Sequence, residues 1–227
     1  MISIIVPIYN EETIIRDFIY NLYCLRNIKE HEVIFVDGGS QDKTLDILEE
    51  LSHFGYSYYI STKKGRANQM NFGAEISHGD ILWFVHADSV LQKDVIQKVI
   101  DCPTEVGCLK IKFYPNSFPM RVNSIVSNMR ASITNLAFGD QALFLSREAF
   151  KKVGGYKDMP IMEDYRISED LSANGYKITL IDSSVTTSTR RYKGRVKTTM
   201  WQMQKYQKMY RRGVPVEEIA KMYRDIR

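Results

Sequence analysis

The feature that most constrains this chain is a regular alternation across its first 90 residues. Four short runs rich in β-branched and aromatic residues, Ile2–Ile8, Glu32–Val36, Tyr56–Ile60 and Asp80–Val85, are separated by three stretches whose apolar residues recur at helical spacing. The first stretch, 11–27, carries Ile14, Ile15, Phe18, Ile19, Leu22 and Leu25 on one face. It opens with Glu11 and Glu12, where the helix dipole favours acids. Asp42–His53 and Arg66–Ser77 supply the second and third. Strand and helix in alternation predict an α/β fold: a Rossmann-like, mostly parallel central sheet with helices on both faces. Ligands of such sheets bind beyond the carboxyl ends of the strands, which directs attention to the loops after residues 8, 36, 60 and 85.

The second half is less regular. Val106–Phe113, Ala142–Leu145, Lys177–Ile181 and Val185–Thr189 read as strands, and Phe118–Leu136 and Pro160–Asn174 as helices. Two amphipathic helices, 195–212 and 215–225, close the chain, the second opening on Val214-Pro215-Val216-Glu217-Glu218. With 227 residues, 44% of them apolar, the chain can bury one substantial core. The expected division is one domain over 1–190, in two halves at 1–90 and 91–190, followed by a short basic helical extension at 191–227.

The net charge of +4 conceals an asymmetry, since residues 186–227 hold twelve Lys or Arg against three Asp or Glu. A basic end on a mildly acidic body suits an anionic partner, either a membrane surface or a phosphate-bearing substrate. In 195–212, Val196, Met200, Met203, Tyr206 and Tyr210 share a face, with Lys205, Lys208, Arg211 and Arg212 around the rest. That face either packs on the domain or attaches peripherally to an anionic membrane. No nucleic-acid-binding module is recognisable, and nucleic acid is not expected as a partner. Three cysteines without a CxxC indicate neither a disulfide framework nor a zinc knuckle, and suit a reducing, cytoplasmic setting. The opening run lacks the basic region and cleavage site of a signal peptide. No run approaches the ~20 apolar residues that span a bilayer.

Chemistry-bearing residues cluster in the strand-end loops. Pro7-Ile8-Tyr9-Asn10-Glu11-Glu12 follows the first strand and Val36-Asp37-Gly38-Gly39-Ser40-Gln41-Asp42 the second. Asp37 could accept hydrogen bonds from a base or ribose, or the segment could be a turn that caps the next helix. Lys63-Lys64-Gly65-Arg66 places cations at a helix N-terminus, a site for phosphate or a solvated basic turn. In His86-Ala87-Asp88, the carboxylate could hold a divalent cation against a diphosphate, and His86 is either a further ligand or a structural group. Gly139-Asp140-Gln141 either turns the chain or faces the cleft. Glu163 and Asp164 either complement a helix dipole or supply a general base for a hydroxyl nucleophile.

Taken in order, these blocks resemble family 2 glycosyltransferases. The carriers are Ser3-Ile4-Ile5-Val6-Pro7-Ile8-Tyr9-Asn10-Glu11-Glu12, Val36-Asp37-Gly38-Gly39-Ser40-Gln41-Asp42, Gly65-Arg66-Ala67-Asn68-Gln69-Met70-Asn71, His86-Ala87-Asp88, Gly139-Asp140-Gln141 and Met162-Glu163-Asp164. The chain is similar in particular to a small bacterial and archaeal subfamily associated with radical-SAM and selenodomain proteins. The resemblance implies a GT-A fold and inverting transfer of one sugar from a nucleoside-diphosphate sugar, a UDP-sugar first, to a hydroxyl acceptor that could be lipid-linked. It implies that Pro7, Tyr9, Glu11, Asp37, Gly38, Lys64, Arg66 and Gln69 hold the nucleotide, and that Asp88, with His86, holds Mn2+ or Mg2+. Asp140 and Gln141 would meet donor sugar or acceptor, Arg190 and Arg191 the diphosphate, and Asp164, with Glu163 second, would be the base. A nucleotidyltransferase or a non-catalytic sugar-nucleotide-binding protein is the alternative. The former would call for a glycine-rich loop where Tyr9-Asn10-Glu11-Glu12 stands.

Overall fold

β1 (Ile2–Ile8) is apolar almost throughout because both of its faces are covered. In the computed structural model, which describes residues 1–189 and 196–224, its side chains alternate between two cores. Ile2, Ile4, Val6 and Ile8 join Phe18 and Leu22 of α1 (Ile15–Tyr23) and Leu48 of α2 (Thr44–Glu50). Ile5 faces the other way, toward Met70 and Ala74 of α3 (Arg66–Ile76). β2 (Glu32–Asp37) divides similarly, Val33 and Phe35 to the first core and Ile34 and Val36 to the second. β1 pairs in parallel with β2 and with β4 (Ile81–Phe84), and β2 with β3 (Ser57–Ile60). α3 approaches β1 closely at Gly73, where an added Cβ would lie 2.5 Å from Ile5 Cγ2.

The expectation of a mostly parallel sheet needs correction. The eight strands lie in the order β3-β2-β1-β4-β7-β6-β8-β5, and beyond β4 the sheet is mixed. β7 (Phe144–Ser146) runs antiparallel to both β4 and β6 (Val106–Tyr114), β6 runs parallel to β8 (Ile178–Ser188), and β5 (Ser89–Leu91) runs antiparallel to β8. The connection from β6 to β7 holds a helix, Phe118–Thr134, and the Gly139–Gln141 turn, and it brings the chain back antiparallel to β6. The two strands read at 177–181 and 185–189 are one, β8, whose pairing with β6 slips past Asp182 and Ser183. Three short elements were not anticipated: β5, α4 (Val95–Ile100) and α6 (Arg147–Val153).

α5 (Phe118–Thr134) lies along β6 and is fixed there by Asn128, which accepts from Ile111 N–H at 2.8 Å and donates to Ile111 O at 3.3 Å. α7 is Glu163–Ala173. α8 (Val196–Arg211) turns its apolar side inward. Met200 packs on Ile111, Phe113 and Met120, Tyr206 is buried, and the Tyr210 ring meets Tyr165 at 5.1 Å. α9 (Val216–Arg224) folds back on α8, where Tyr206 Oη donates to Met222 O at 3.1 Å. Met200, Tyr206 and Tyr210 of the apolar face thus belong to the fold. No helix among the described residues is long and apolar enough to cross a membrane.

Candidate active site

The loops after β1 and β2 are laced to one another. Asn10 N–H donates to Ser40 Oγ, Gln41 N–H to Asn10 Oδ1, Glu11 N–H to Thr44 Oγ1 and Lys43 N–H to Glu12 Oε2, all at 2.8–3.0 Å. Asn10 adopts φ 54°, a left-handed conformation asparagine tolerates, which lets its side chain reach back across the gap. Asp37 is fully buried, and its carboxylate accepts from the N–H groups of Gly39 and Ser40 and from Ser40 Oγ. Gln69 is also buried, and its Nε2 donates to Ile8 O and Val36 O, both at 2.7 Å. It therefore braces the ends of β1 and β2 from below. Gly38 has no side chain because the Gln69 amide stands 3.1 Å from where a Cβ would be. Pro7 is half-buried within β1, Tyr9 is about half exposed and Lys64 is exposed.

One turn before Gln69 on α3, Arg66 reaches across the cleft to α7. Its Nε donates to Glu163, and its Nη2 donates to Asp164 Oδ2 at 3.0 Å. The start of α3 places it there: Gly65 at φ 112° turns the chain sharply into the helix. Glu163 and Asp164 stand in the first turn of α7, both buried. Burial is the main force on Asp164 and pushes its pKa from 3.8 up to about 6. Arg66 opposes the rise, whereas Glu163 and Asp140 add to it. Burial works against the charge on Arg66, yet the two carboxylates keep its guanidinium protonated, with a raised pKa.

Gly139 ties the third part of the site together. A Cβ there would lie 2.5 Å from His86 Cε1 and 2.6 Å from Asp164 Oδ2, so His86, Gly139 and Asp164 are mutually close. Gln141 is fully buried, and its Oε1 accepts from Arg130 Nη2 at 2.9 Å. Arg130 of α5 also lies over the Phe138 ring at 3.8 Å. This arginine was not picked out from the sequence, where a lone cation on an amphipathic helix looks like any surface residue. Asp88 is half-buried two residues past His86. Among the described residues no three His, Cys, Asp or Glu are grouped to hold an ion. Arg190 and Arg191 lie outside the described residues.

The architecture is thus that of an α/β chain with a mixed sheet and an Arg–Glu–Asp cluster at the carboxyl ends of its parallel strands. Residues 3–102 match the family Glycosyl transferase family 2. The mannosyltransferase PcManGT from Pyrobaculum calidifontis, in complex with GDP-Man and Mn2+, superposes with TM-score 0.72 at 20% identity, over 91% of this chain and 61% of that one. S. aureus TarS 1-349 in complex with UDP superposes with TM-score 0.67 at 20% identity, over 83% and 60%. The dolichyl N-acetyl-alpha-D-glucosaminyl phosphate 3-beta-D-2,3-diacetamido-2,3-dideoxy-beta-D-glucuronosyltransferase of Methanococcus voltae is 26% identical over 66% of this chain and 49% of its own length. The chain spans about half the length of the curated relatives it matches. Residues 3–102 are thus similar to that family, and the solved neighbours share the fold of this chain.

Proposed function

We propose that the chain transfers one sugar from a nucleoside-diphosphate sugar, with UDP-sugars first, to a hydroxyl acceptor with inversion. The observation that carries this reading is Asp164, a buried carboxylate with a pKa raised to about 6, set between a cation and the tight Gly139 turn. A base poised near working pH is what deprotonation of a sugar hydroxyl calls for. In a single displacement, the acceptor oxygen bonds to the anomeric carbon and the bond from that carbon to the diphosphate oxygen breaks. The electron pair leaves with the nucleoside diphosphate and the acceptor proton passes to Asp164. Glu163, nearer to Arg66 and more buried, is the second candidate.

Arg66 and Lys64 at the start of α3 would meet the diphosphate, joined by Arg190 and Arg191, and stabilise the charge that develops on it. Tyr9, Pro7 and Glu11 would line the nucleotide, while Asp37, Gly38 and Gln69 hold the loops that present them. Asp140 and Gln141 would face sugar or acceptor. Asp88 offers one carboxylate, which fits a cation shared with substrate phosphates and not an all-protein cage, while the His86 ring lies against Gly139 and Asp164. Such an ion, Mn2+ or Mg2+, would supply Lewis-acid stabilisation of the leaving diphosphate. The ligands named for the structural neighbours, UDP and GDP-Man with Mn2+, support this donor class. The dolichyl-linked substrate in the Methanococcus relative's name supports a lipid-linked acceptor. The Gly65–Asn71, His86–Asp88, Gly139–Gln141 and Met162–Asp164 blocks favour the radical-SAM-associated subfamily.

A panel of nucleotide sugars, tested for binding and slow hydrolysis with and without Mn2+ or Mg2+, tests the proposal. A single preferred donor is expected. Absence of binding to any of them sinks the proposal. Donor binding without turnover, unaffected by Asp164→Asn, would identify a sugar-nucleotide sensor instead.

A further inference from the structure

We infer that the outer face of α5 is a docking surface for an anionic lipid bilayer. Phe118, Val122, Ile125, Val126, Met129 and Ile133 fall within an arc of about 100° on this helix at 3.6 residues per turn. All are exposed, from 41% at Val122 to 78% at Phe118. The orientation is fixed rather than accidental, because the opposite face buries Met120 and Ala131 and is pinned to β6 through Asn128. Trp201 of α8 is a further large apolar residue that is 64% exposed. A stripe of this size on a water-facing helix calls for a partner.

Charge selects the partner. Residues 106–139 contain Lys110, Lys112, Arg121 and Arg130 and no Asp or Glu. On α8, Lys205, Lys208 and Arg211 stand without an Asp or Glu. Lys205 Nζ stands 5.6 Å from the Trp201 ring. Lys110 is already paired, to Asp182 at 2.6 Å, and Arg130 turns inward to Gln141, but a two-fold dimer would still set Arg121 and the exposed cations of α8 against like charges. An anionic leaflet meets both features, since the apolar stripe enters the acyl boundary while the surrounding lysines and arginines face headgroups. Trp201 and Tyr114, both exposed, are residue types that settle at that depth. The inner flank of the same helix carries Arg130 to Gln141, so a docked α5 would hold the candidate site beside the headgroup layer.

The test is flotation of the full chain with vesicles of phosphatidylcholine alone or containing about 30 mol% phosphatidylglycerol, at low and high salt. At low salt, binding to the anionic vesicles is expected to exceed binding to neutral ones by at least about tenfold, and to weaken in high salt. Ile125→Glu/Met129→Glu should lose at least about tenfold of that binding, and Ile133→Glu alone a measurable part, with unchanged melting temperature. Ile100→Glu, an exposed apolar site on α4 across the sheet, should bind as wild type does. Wild type that ignores phosphatidylglycerol, or α5 variants that float undiminished, would overturn the inference. So would a solution dimer that the α5 substitutions dissociate. No donor or acceptor enters the assay, so its outcome is independent of whether the chain transfers a sugar.

Discussion

Arg66 Nη2 donates to Asp164 Oδ2 at 3.0 Å while Nε of the same guanidinium donates to Glu163, so one side chain holds both members of an acidic pair contributed by a different helix. The proposed mechanism gives Arg66 a second use, on the diphosphate. Donor binding would then draw it from the carboxylates and leave Asp164 more basic, since Arg66 is what opposes the rise in its pKa. Order of binding and readiness of the base would be linked through one residue.

Asp164→Asn keeps size and shape and removes the ability to take a proton. Turnover is expected to fall by about 10²- to 10⁴-fold, the usual worth of a general base. Donor affinity, measured by calorimetry, should stay within about threefold, because a group that acts only in the transition state adds little to ground-state binding. Turnover near wild type would move the base to Glu163.

Arg66→Ala tests the electrostatics through pH. In wild type the base is ionised above about 6, so the acidic limb of kcat/KM should lie there, with activity rising as pH rises. Removing the opposing cation must raise the Asp164 pKa, so the limb in Arg66→Ala moves to higher pH. The same raised pKa acts on stability in the opposite direction. Between 3.8 and about 6 the folded chain holds a proton on Asp164 that the unfolded chain has released. This residue's contribution to stability therefore falls as pH rises through that window and levels off above it. Asp164→Asn should flatten that part of a melting-temperature curve. An acidic limb that stays in place or moves down in Arg66→Ala sinks the assignment. The variant also leaves two buried carboxylates short of a partner, at a cost of about 1–3 kcal/mol in denaturant titrations.

How much of this was legible in the sequence depended on element length and on which partner a residue meets. β1 and β2 were readable as continuous β-branched apolar runs, and they and α3 border loops with unusual residues. β5, with three residues, and α4, with six, are too short to express a period. The direction of β7 was hidden for another reason: a strand buried on both faces shows the same apolar run whether it pairs parallel or antiparallel. Arg66 was singled out for phosphate from its place at a helix start, yet its contact with Glu163 spans 97 residues and no local pattern encodes it. The inward side of α8 was visible as a stripe, but a stripe does not say whether protein or lipid covers it. The fold answered with Met120 and Tyr165.

Gly139→Ala should be more damaging than a methyl group usually is. The new Cβ would stand 2.5 Å from His86 and 2.6 Å from Asp164, so both must shift. Turnover is expected to fall by about 10²-fold, as misplacement of a reacting group by about 1 Å can cost. The matched control is Gly73→Ala, whose Cβ would meet Ile5 Cγ2 at 2.5 Å in the core. Overpacking there should cost about 1–3 kcal/mol and lower the melting temperature, while surviving folded protein keeps its kcat. If both variants lose stability alone and keep kcat, Gly139 serves packing and not the geometry of the base.

Asp88→Ala separates the donor site from the base. Asp88 is half-buried at the end of a strand-loop, so its removal should change stability by no more than about 0.5 kcal/mol. Its proposed task is to share a divalent cation with the donor's diphosphate. Wild type should therefore bind nucleotide sugar more tightly with Mn2+ than without, and the variant should lose most of that difference while its metal-free affinity stays the same. His86→Ala, altering a residue packed against Gly139 and Asp164, should lower turnover more than it lowers the response to metal. Calorimetric titration of each variant with and without Mn2+ reads both effects. A metal response that survives Asp88→Ala and disappears in His86→Ala would reverse the two assignments and place the imidazole, not the carboxylate, on the cation.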